Sequence, residues 1–176
     1  MAGISKLIED DLIANYAKYY RLAFSYVGNE QDALDIVQEG AYKAVKNAKK
    51  IKSPEYISTW IYRIIINEAL NQIRENKKTV SLLADIDEGV NDSYEDPDLN
   101  IAIKRLDLID QTIIKLRFFL DIPIKEIAAI TNLNENTTKT RLYRALEKLK
   151  IKKSFRGNFI SFLPYNYYIT SFKICP

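Results

Sequence analysis

The stretch TNLNENTTKTRLYRALEKLK, Thr131 to Lys150, decides how this chain folds. Wound as a helix from Glu135, it sets Leu142, Leu146 and Leu149 on one side and spreads Lys139, Arg141, Arg144, Lys148 and Lys150 over the rest. Asn132-Leu133-Asn134 reads as a turn, Asn134 as the N-cap, and Glu135 as a first-turn acid favoured by the helix dipole. Upstream, IKEIAAIT (124–131) forms a short helix with Ile127, Ala128 and Ile130 inward. Small Ala128 permits a close crossing, and Leu133 plugs the space between the two helices. Asp107 to Leu120 reads as a further amphipathic helix with the stripe Ile109, Ile113, Leu116 and Phe119 or Leu120.

Two helices, a three-residue turn and a basic second helix make a helix-turn-helix. The apolar side of the second helix then docks on Ile127 and Leu116, and its N-terminal positions face a DNA major groove. The candidates there are Asn136, Thr137, Lys139, Thr140, Arg141 and Arg144. An arginine grips guanine through two bonds, worth about 1–3 kcal/mol of discrimination. Lys148, Lys150, Lys152 and Lys153 suit phosphates. The same pattern also fits a solvated three-helix bundle.

The charge along the chain is uneven. Residues 1–78 hold 12 Lys+Arg and 10 Asp+Glu; residues 79–100 hold seven acids and no base; residues 101–153 hold 12 bases and six acids. The middle piece, with Gly89, Asn91, Asp92, Ser93 and Pro97, reads as an extended acidic linker between helical units at 5–78 and 101–153. Few Gly and Pro and long runs of helix formers make the expected class all-α.

In the first unit, Leu7, Leu12, Tyr16, Tyr19 and Tyr20 recur at helical spacing, followed by Ala23, Phe24 and Val27. Gly28-Asn29 breaks the run, and DALDIVQEGAYKAVKN (32–47) begins a helix with the stripe Ala33, Ile36, Val37, Ala41, Ala44 and Val45. Asp32, Asp35, Gln38 and Glu39 lie mostly off that stripe, with Tyr42 nearby. First-turn acids are favourable anyway, at about 0.3–1 kcal/mol each. A docking face for a basic partner accounts for all four better than an acid/base or metal pair does, since the chain holds no His and one Cys. No metal, cofactor or catalytic residue is expected, and the chain is read as no enzyme.

The segment KNAKKIK (46–52) holds four lysines, Lys50 and Lys52 among them, and leads through Ser53-Pro54 into STWIYRIIINEALNQIRENKK (58–78). Ser58 or Thr59 is the expected cap of that helix. Trp60, Ile61, Ile64, Ile65, Ala69 and Ile73 supply its buried stripe, while Arg63, Asn67, Asn71, Arg74, Lys77 and Lys78 line another side. Cations for phosphate, Asn for base edges and aromatics for unstacked bases suit nucleic acid. For Trp60 the core role is the stronger expectation.

Taken in order, DALDIVQEGAYKAVKN, STWIYRIIINEALNQIRENKK, the acidic linker and IKEIAAITNLNENTTKTRLYRALEKLK resemble a bacterial RNA polymerase sigma factor. The layout, with only the second and fourth sigma regions over roughly residues 5–153, resembles the extracytoplasmic-function (ECF) group. The resemblance implies an all-α pair of small domains: a region 2 bundle and a helix-turn-helix region 4. It implies that Asp32, Asp35, Gln38 and Glu39 bind the β′ clamp helices of core polymerase. It further implies that the loop from Lys50 to Ser58 captures a flipped base of the minus-ten element, and that Trp60, Arg63, Asn67, Asn71 and Arg74 lie along the melted strand. The second unit would read the minus-thirty-five element and rest on the β-flap, with an anti-sigma factor as inhibitory partner. A stand-alone helix-turn-helix regulator and a metal-dependent nuclease are the rival readings.

Two departures from the family pattern stand out. The inward position Thr138 is commonly aliphatic; a threonine there is expected either to weaken the packing slightly or to bond back along its helix. Residues 154–176 hold seven aromatics, one Arg, one Lys and no acid, an atypical tail. Pro164, Asn166 and Thr170 argue against a membrane anchor there, and no signal peptide is evident, so a cytoplasmic location is expected.

Overall fold

The structure, a computed structural model, describes residues 2–51, 53–82 and 97–152, with side chains over 3–51, 53–76 and 101–149. Lys52, residues 83–96 of the expected linker, and the tail from 153 lie outside the described residues. Every regular element among the described residues is helical: α1 (Ala2–Ala14), α2 (Tyr16–Val27), α3 (Glu30–Lys46), α4 (Ile57–Leu82), α5 (Pro97–Lys104), α6 (Leu108–Ile114), α7 (Ile124–Thr131) and α8 (Glu135–Lys152). Short 3-10 turns at Ala48–Lys50 and Pro54–Tyr56 lead into α4. Helical backbone enters both ends of the expected linker, since nothing breaks α4 before Leu82 and Pro97 opens α5 at its first position.

The first unit packs α2, α3 and α4 together with α1 across them. Gly28 ends α2 at φ 76°, its N–H donating to the Phe24 carbonyl at 2.8 Å. Asn29 then caps α3 by accepting from the Asp32 N–H at 2.9 Å. Tyr19, Leu22 and Ala23 are fully buried with Ile8, Ile61, Ile65 and Ala69. Gly40 faces α4, where a Cβ would collide with the Ile65 side chain, so α3 and α4 cross closely. The Asp11 carboxylate accepts from both the Tyr19 and Ser58 hydroxyls and ties α1, α2 and α4 together.

Several positions depart from helical-spacing expectations. Leu7 and Tyr16 are exposed, and Ile8, Leu22 and Tyr26 are buried instead, because α1 and α2 are separate helices broken at Asn15. Val45 is exposed and Gly40 takes the central place in the α3 stripe. Ser58 does not cap α4: the helix begins at Ile57, continuing the preceding 3-10 turn, and its hydroxyl turns to Asp11.

The second unit is built on α6, α7 and α8 with α5 against α8. The expected helix from Asp107 to Leu120 is α6 followed by a π-helical turn, Lys115–Phe119, whose wider winding shifts the stripe. Ile113 and Leu116 are buried as expected, but Ile109 is exposed and Asp110 is buried in its place. The turn between α7 and α8 closes a Schellman motif. Asn132, at φ 57°, donates to the Ala129 carbonyl at 3.3 Å, and Leu133 donates to Ala128 at 2.9 Å. Leu133 packs half-buried on the core, and Asn134 accepts from the Thr137 N–H at 2.7 Å as the cap of α8. Thr138 is fully buried and donates its hydroxyl to the Asn134 carbonyl at 3.0 Å, which satisfies the one polar atom on the inward side.

The units touch along two edges. Arg63 of α4 donates through Nε to the Ile130 carbonyl at 3.0 Å and through a terminal nitrogen to the Ala129 carbonyl. The Tyr26 hydroxyl meets the Thr112 hydroxyl at 2.7 Å, and the Lys115 ammonium lies 3.5 Å from the Tyr26 ring centroid.

Candidate nucleic-acid and polymerase interfaces

Three surfaces carry the residues singled out above. The first is α3. Asp35, Gln38 and Glu39 are exposed, and Asp32 is half-buried, held by the Asn29 side-chain amide at 2.9 Å. Asp35 accepts from Gln31 at 3.2 Å. Glu39 pairs with Lys43 at 3.1 Å, and Lys43 reaches Glu68 of α4 at 2.6 Å. These two carboxylates, Glu68 first, hold the Lys43 ammonium pKa above its ordinary value. Leu34 and Tyr42 stand exposed on the same helix. Periodicity gave no sign of Leu34, which sits outside the apolar stripe. A mixed acidic and apolar face is suited to another protein, because it offers charge for orientation and apolar area for burial.

The second surface runs along α4. Arg63, Asn67, Asn71 and Arg74 are all exposed at spacings of four, four and three, which keeps them on one line of the helix. Arg74 donates to the Asn71 side chain at 3.4 Å. Lys50, exposed, and Trp60, half-buried, join Arg63 in lining a cleft of about 470 Å³ with Tyr56, Ala129 and Asn132. The structure therefore gathers Lys50, Trp60 and Arg63 at one place. Asn67, Asn71 and Arg74 continue beyond it along the helix.

The third surface is the start of α8. Asn136, Lys139, Thr140 and Arg144 are exposed and Thr137 is half-buried. Thr140 bonds back to the Asn136 carbonyl at 2.9 Å. Arg141 differs from its neighbours. It lies half-buried and donates at 2.6 Å to the Asp110 carboxylate, which Lys148 approaches at 3.9 Å. Tyr143, 69% exposed between Thr140 and Arg144, adds an aromatic ring that charge counting along the sequence passes over.

Among the described residues, no three His, Cys, Asp or Glu side chains converge as a metal set. No described helix is long and apolar enough to cross a membrane.

Comparison with known proteins matches two family models to successive parts of the chain. The sigma-70 region 2 family matches residues 12–79, and the sigma-70 region 4 family matches residues 101–149. The RNA polymerase sigma factor SigV of Bacillus subtilis (strain 168) is 45% identical over 141 residues, spanning 76% of this chain and 83% of the relative. The ECF RNA polymerase sigma factor SigW of the same strain is 30% identical over 152 residues, 76% of this chain and 81% of the relative. In fold, the chain is similar to the sigma factor RpoE solved in complex with the anti-sigma factor NepR from Bartonella quintana. That likeness has a TM-score of 0.65 at 20% identity, over 82% of this chain and 94% of that one. It is also similar to CnrH solved with the cytosolic domain of CnrY, at a TM-score of 0.60 and 18% identity, over 82% and 85% of the two chains. With a region 2 unit and a region 4 unit in order, and a relative 45% identical over most of its length, the chain belongs to the extracytoplasmic-function group of RNA polymerase sigma factors.

Proposed function

We propose that the three surfaces divide the work of starting transcription at a promoter. The α3 face, with Asp32, Asp35, Gln38 and Glu39 beside Leu34 and Tyr42, docks on core polymerase at the β′ clamp helices. The α4 line, Trp60, Arg63, Asn67, Asn71 and Arg74, together with Lys50 and Lys52 of the preceding segment, takes the separated minus-ten strand. The start of α8, with Asn136, Thr137, Lys139, Thr140 and Arg144, reads the minus-thirty-five duplex while this unit rests on the β-flap. Arg141 belongs to that set through its place on the helix, with Asp110 holding it.

The observation that carries this reading is the exposed, collinear run Arg63, Asn67, Asn71, Arg74 beginning at the cleft that Trp60 and Lys50 line. Cations repeat where phosphates repeat, and an aromatic wall at one end suits an unstacked base. Unstacking costs a few kcal/mol per step, so bases must be trapped as they open. Two modest DNA-binding units held on one enzyme gain through effective concentration what neither has alone.

On this reading the chain is a specificity subunit with no catalysis of its own, working in the cytoplasm where polymerase and DNA are. The sigma factor RpoE, which it resembles in fold, was solved with the anti-sigma factor NepR, which supports an anti-sigma factor as its inhibitor. Reconstitution tests the whole. Core polymerase, promoter DNA and this chain yield promoter-specific transcripts that core alone does not. Footprinted duplex binding without polymerase, and no transcripts with it, would favour a stand-alone regulator.

A further inference from the structure

We propose that the aromatic segment 154–176 docks on its own second unit and covers the apolar corner between α5 and α6.

The corner is built from three large aliphatic side chains. Ile101 stands in the last turn of α5, and Leu108 and Ile109 open α6. They are 49%, 49% and 41% exposed, while Ala102, Ile103 and Leu106 beside them face the core. The Gln111 side-chain amide donates to the Lys104 carbonyl at 3.2 Å and to the Leu106 carbonyl at 2.8 Å, which ties the two helices at this point. Apolar residues scattered singly are ordinary on a surface, whereas clustered ones mark a contact.

Three observations name the occupant. The first is position. α8 packs on both helices of the corner, and the Lys148 ammonium lies 3.9 Å from the carboxylate of Asp110, the residue next to Ile109. Leu149 is buried and α8 closes at Lys152, so the chain leaves this unit beside α5 and α6. Residues 154–176 number 23, and at roughly 3.3 Å each when extended they span a corner between helices about 10–12 Å wide several times over.

The second is composition. Residues 154–176 hold seven aromatics together with Ile160, Leu163, Ile169 and Ile174, and no acid. Each aromatic side chain brings about 150–250 Å² that is better buried than wet. The third is charge. The run 79–100, with seven acids and no base, leads into α5, and the run 148–156, with five bases and no acid, leads out of α8. Because α5 and α8 pack together, opposite charge draws the chain leaving one toward the chain entering the other. A helical unit of about 50 residues buries a small share of its surface, so a cover of this kind adds to a core that is short of one.

The test places a nitroxide on the full chain at Ser161→Cys, with the one native cysteine removed as Cys175→Ser. Isoleucine methyl resonances report where the label sits. Ile101 and Ile109 are expected to lose most of their intensity, while Ile13, 76% exposed on α1, keeps its own. With Ile101→Asp and Leu108→Asp added, the Ile109 methyl should recover. The shifts of the buried Ile113 and Ile127 methyls, read before labelling, confirm that this variant is folded. Spin-labelled chain mixed with methyl-labelled, nitroxide-free chain should leave every methyl sharp. Loss at Ile101 and Ile109 in the mixed sample would assign the corner to the tail of a second copy and overturn the proposal. Equal loss at Ile13, or loss at Ile109 that persists in the double variant, would overturn it too. Full intensity at all three positions would do the same and leave the corner to a partner outside the chain.

Discussion

Arg141 of α8 donates to the carboxylate of Asp110 on α6 at 2.6 Å, and Asp110 is only 3% exposed. A buried carboxylate needs such a partner, because an unpaired charge away from water is costly. The pairing splits the recognition helix into a residue that fixes its seat and residues that reach outward.

Arg141→Ala is therefore expected to lower both upstream-element binding and the stability of the second unit. Arg141 is half-exposed, so the stability loss is put at about 1–3 kcal/mol, below the range for a fully buried pair. Arg144→Ala, on an exposed residue, should cost about 1–3 kcal/mol of base discrimination and leave stability unchanged. Urea unfolding followed by circular dichroism, paired with promoter competition assays, separates the two. Equal stability for both variants would refute the division.

On α3, Asp35→Lys is expected to reduce affinity for core polymerase about tenfold while the helical spectrum is retained, since Asp35 is exposed and accepts from Gln31 one turn away on its own helix. Leu34→Asp should do the same through lost apolar burial. Pull-down against core polymerase measures both, and parent-like recovery of either variant would remove that residue from the docking face.

Alkaline titration gives a third check. Burial pushes the Tyr26 and Tyr62 phenols up to about 12, and burial with the Asp11 hydrogen bond pushes Tyr19 higher still. The folded values lie above the ordinary tyrosine value of about 10, so the folded state favours the neutral phenol. The stability this contributes is complete below about pH 10 and is lost as pH rises through about 12. Ultraviolet titration should show these phenolates forming after the exposed ones, and Tyr26→Phe should remove one late step. A single transition near pH 10 at constant helicity would contradict the burial.

Local signals were the legible ones. Gly28-Asn29 marks the break between α2 and α3, though α3 begins at Glu30 and not at Asp32, Asn134 announces its cap, and Ile127, Ala128 and Ile130 point inward as spacing requires. The choice between Leu7 and Ile8, or between Ile109 and Asp110, was not legible by spacing alone. Each pair lies one residue apart on a helix edge, and the neighbour decides: Arg141 draws Asp110 inward from 31 positions away. The α3, α4 and α8 surfaces could be named from charge and spacing, and their residues are mostly exposed where expected. Arg63 bonding to the end of α7 could not be foreseen, since a helix terminus 66 or 67 residues distant leaves no trace in local pattern. Leu34 and Tyr143 were missed because an exposed apolar residue has no periodic signature.

Gly40 has a reach beyond its own helix. It lets the Ile65 side chain of α4 rest directly on the backbone of α3 at their crossing, where a Cβ would otherwise be. On the proposed reading, one of those helices holds the enzyme and the other holds the opened strand. The separation of those two surfaces is then set by one isoleucine seated on bare backbone, with no side chain from α3 to widen it. A larger residue at position 40 would push the two surfaces apart before it disturbed either one.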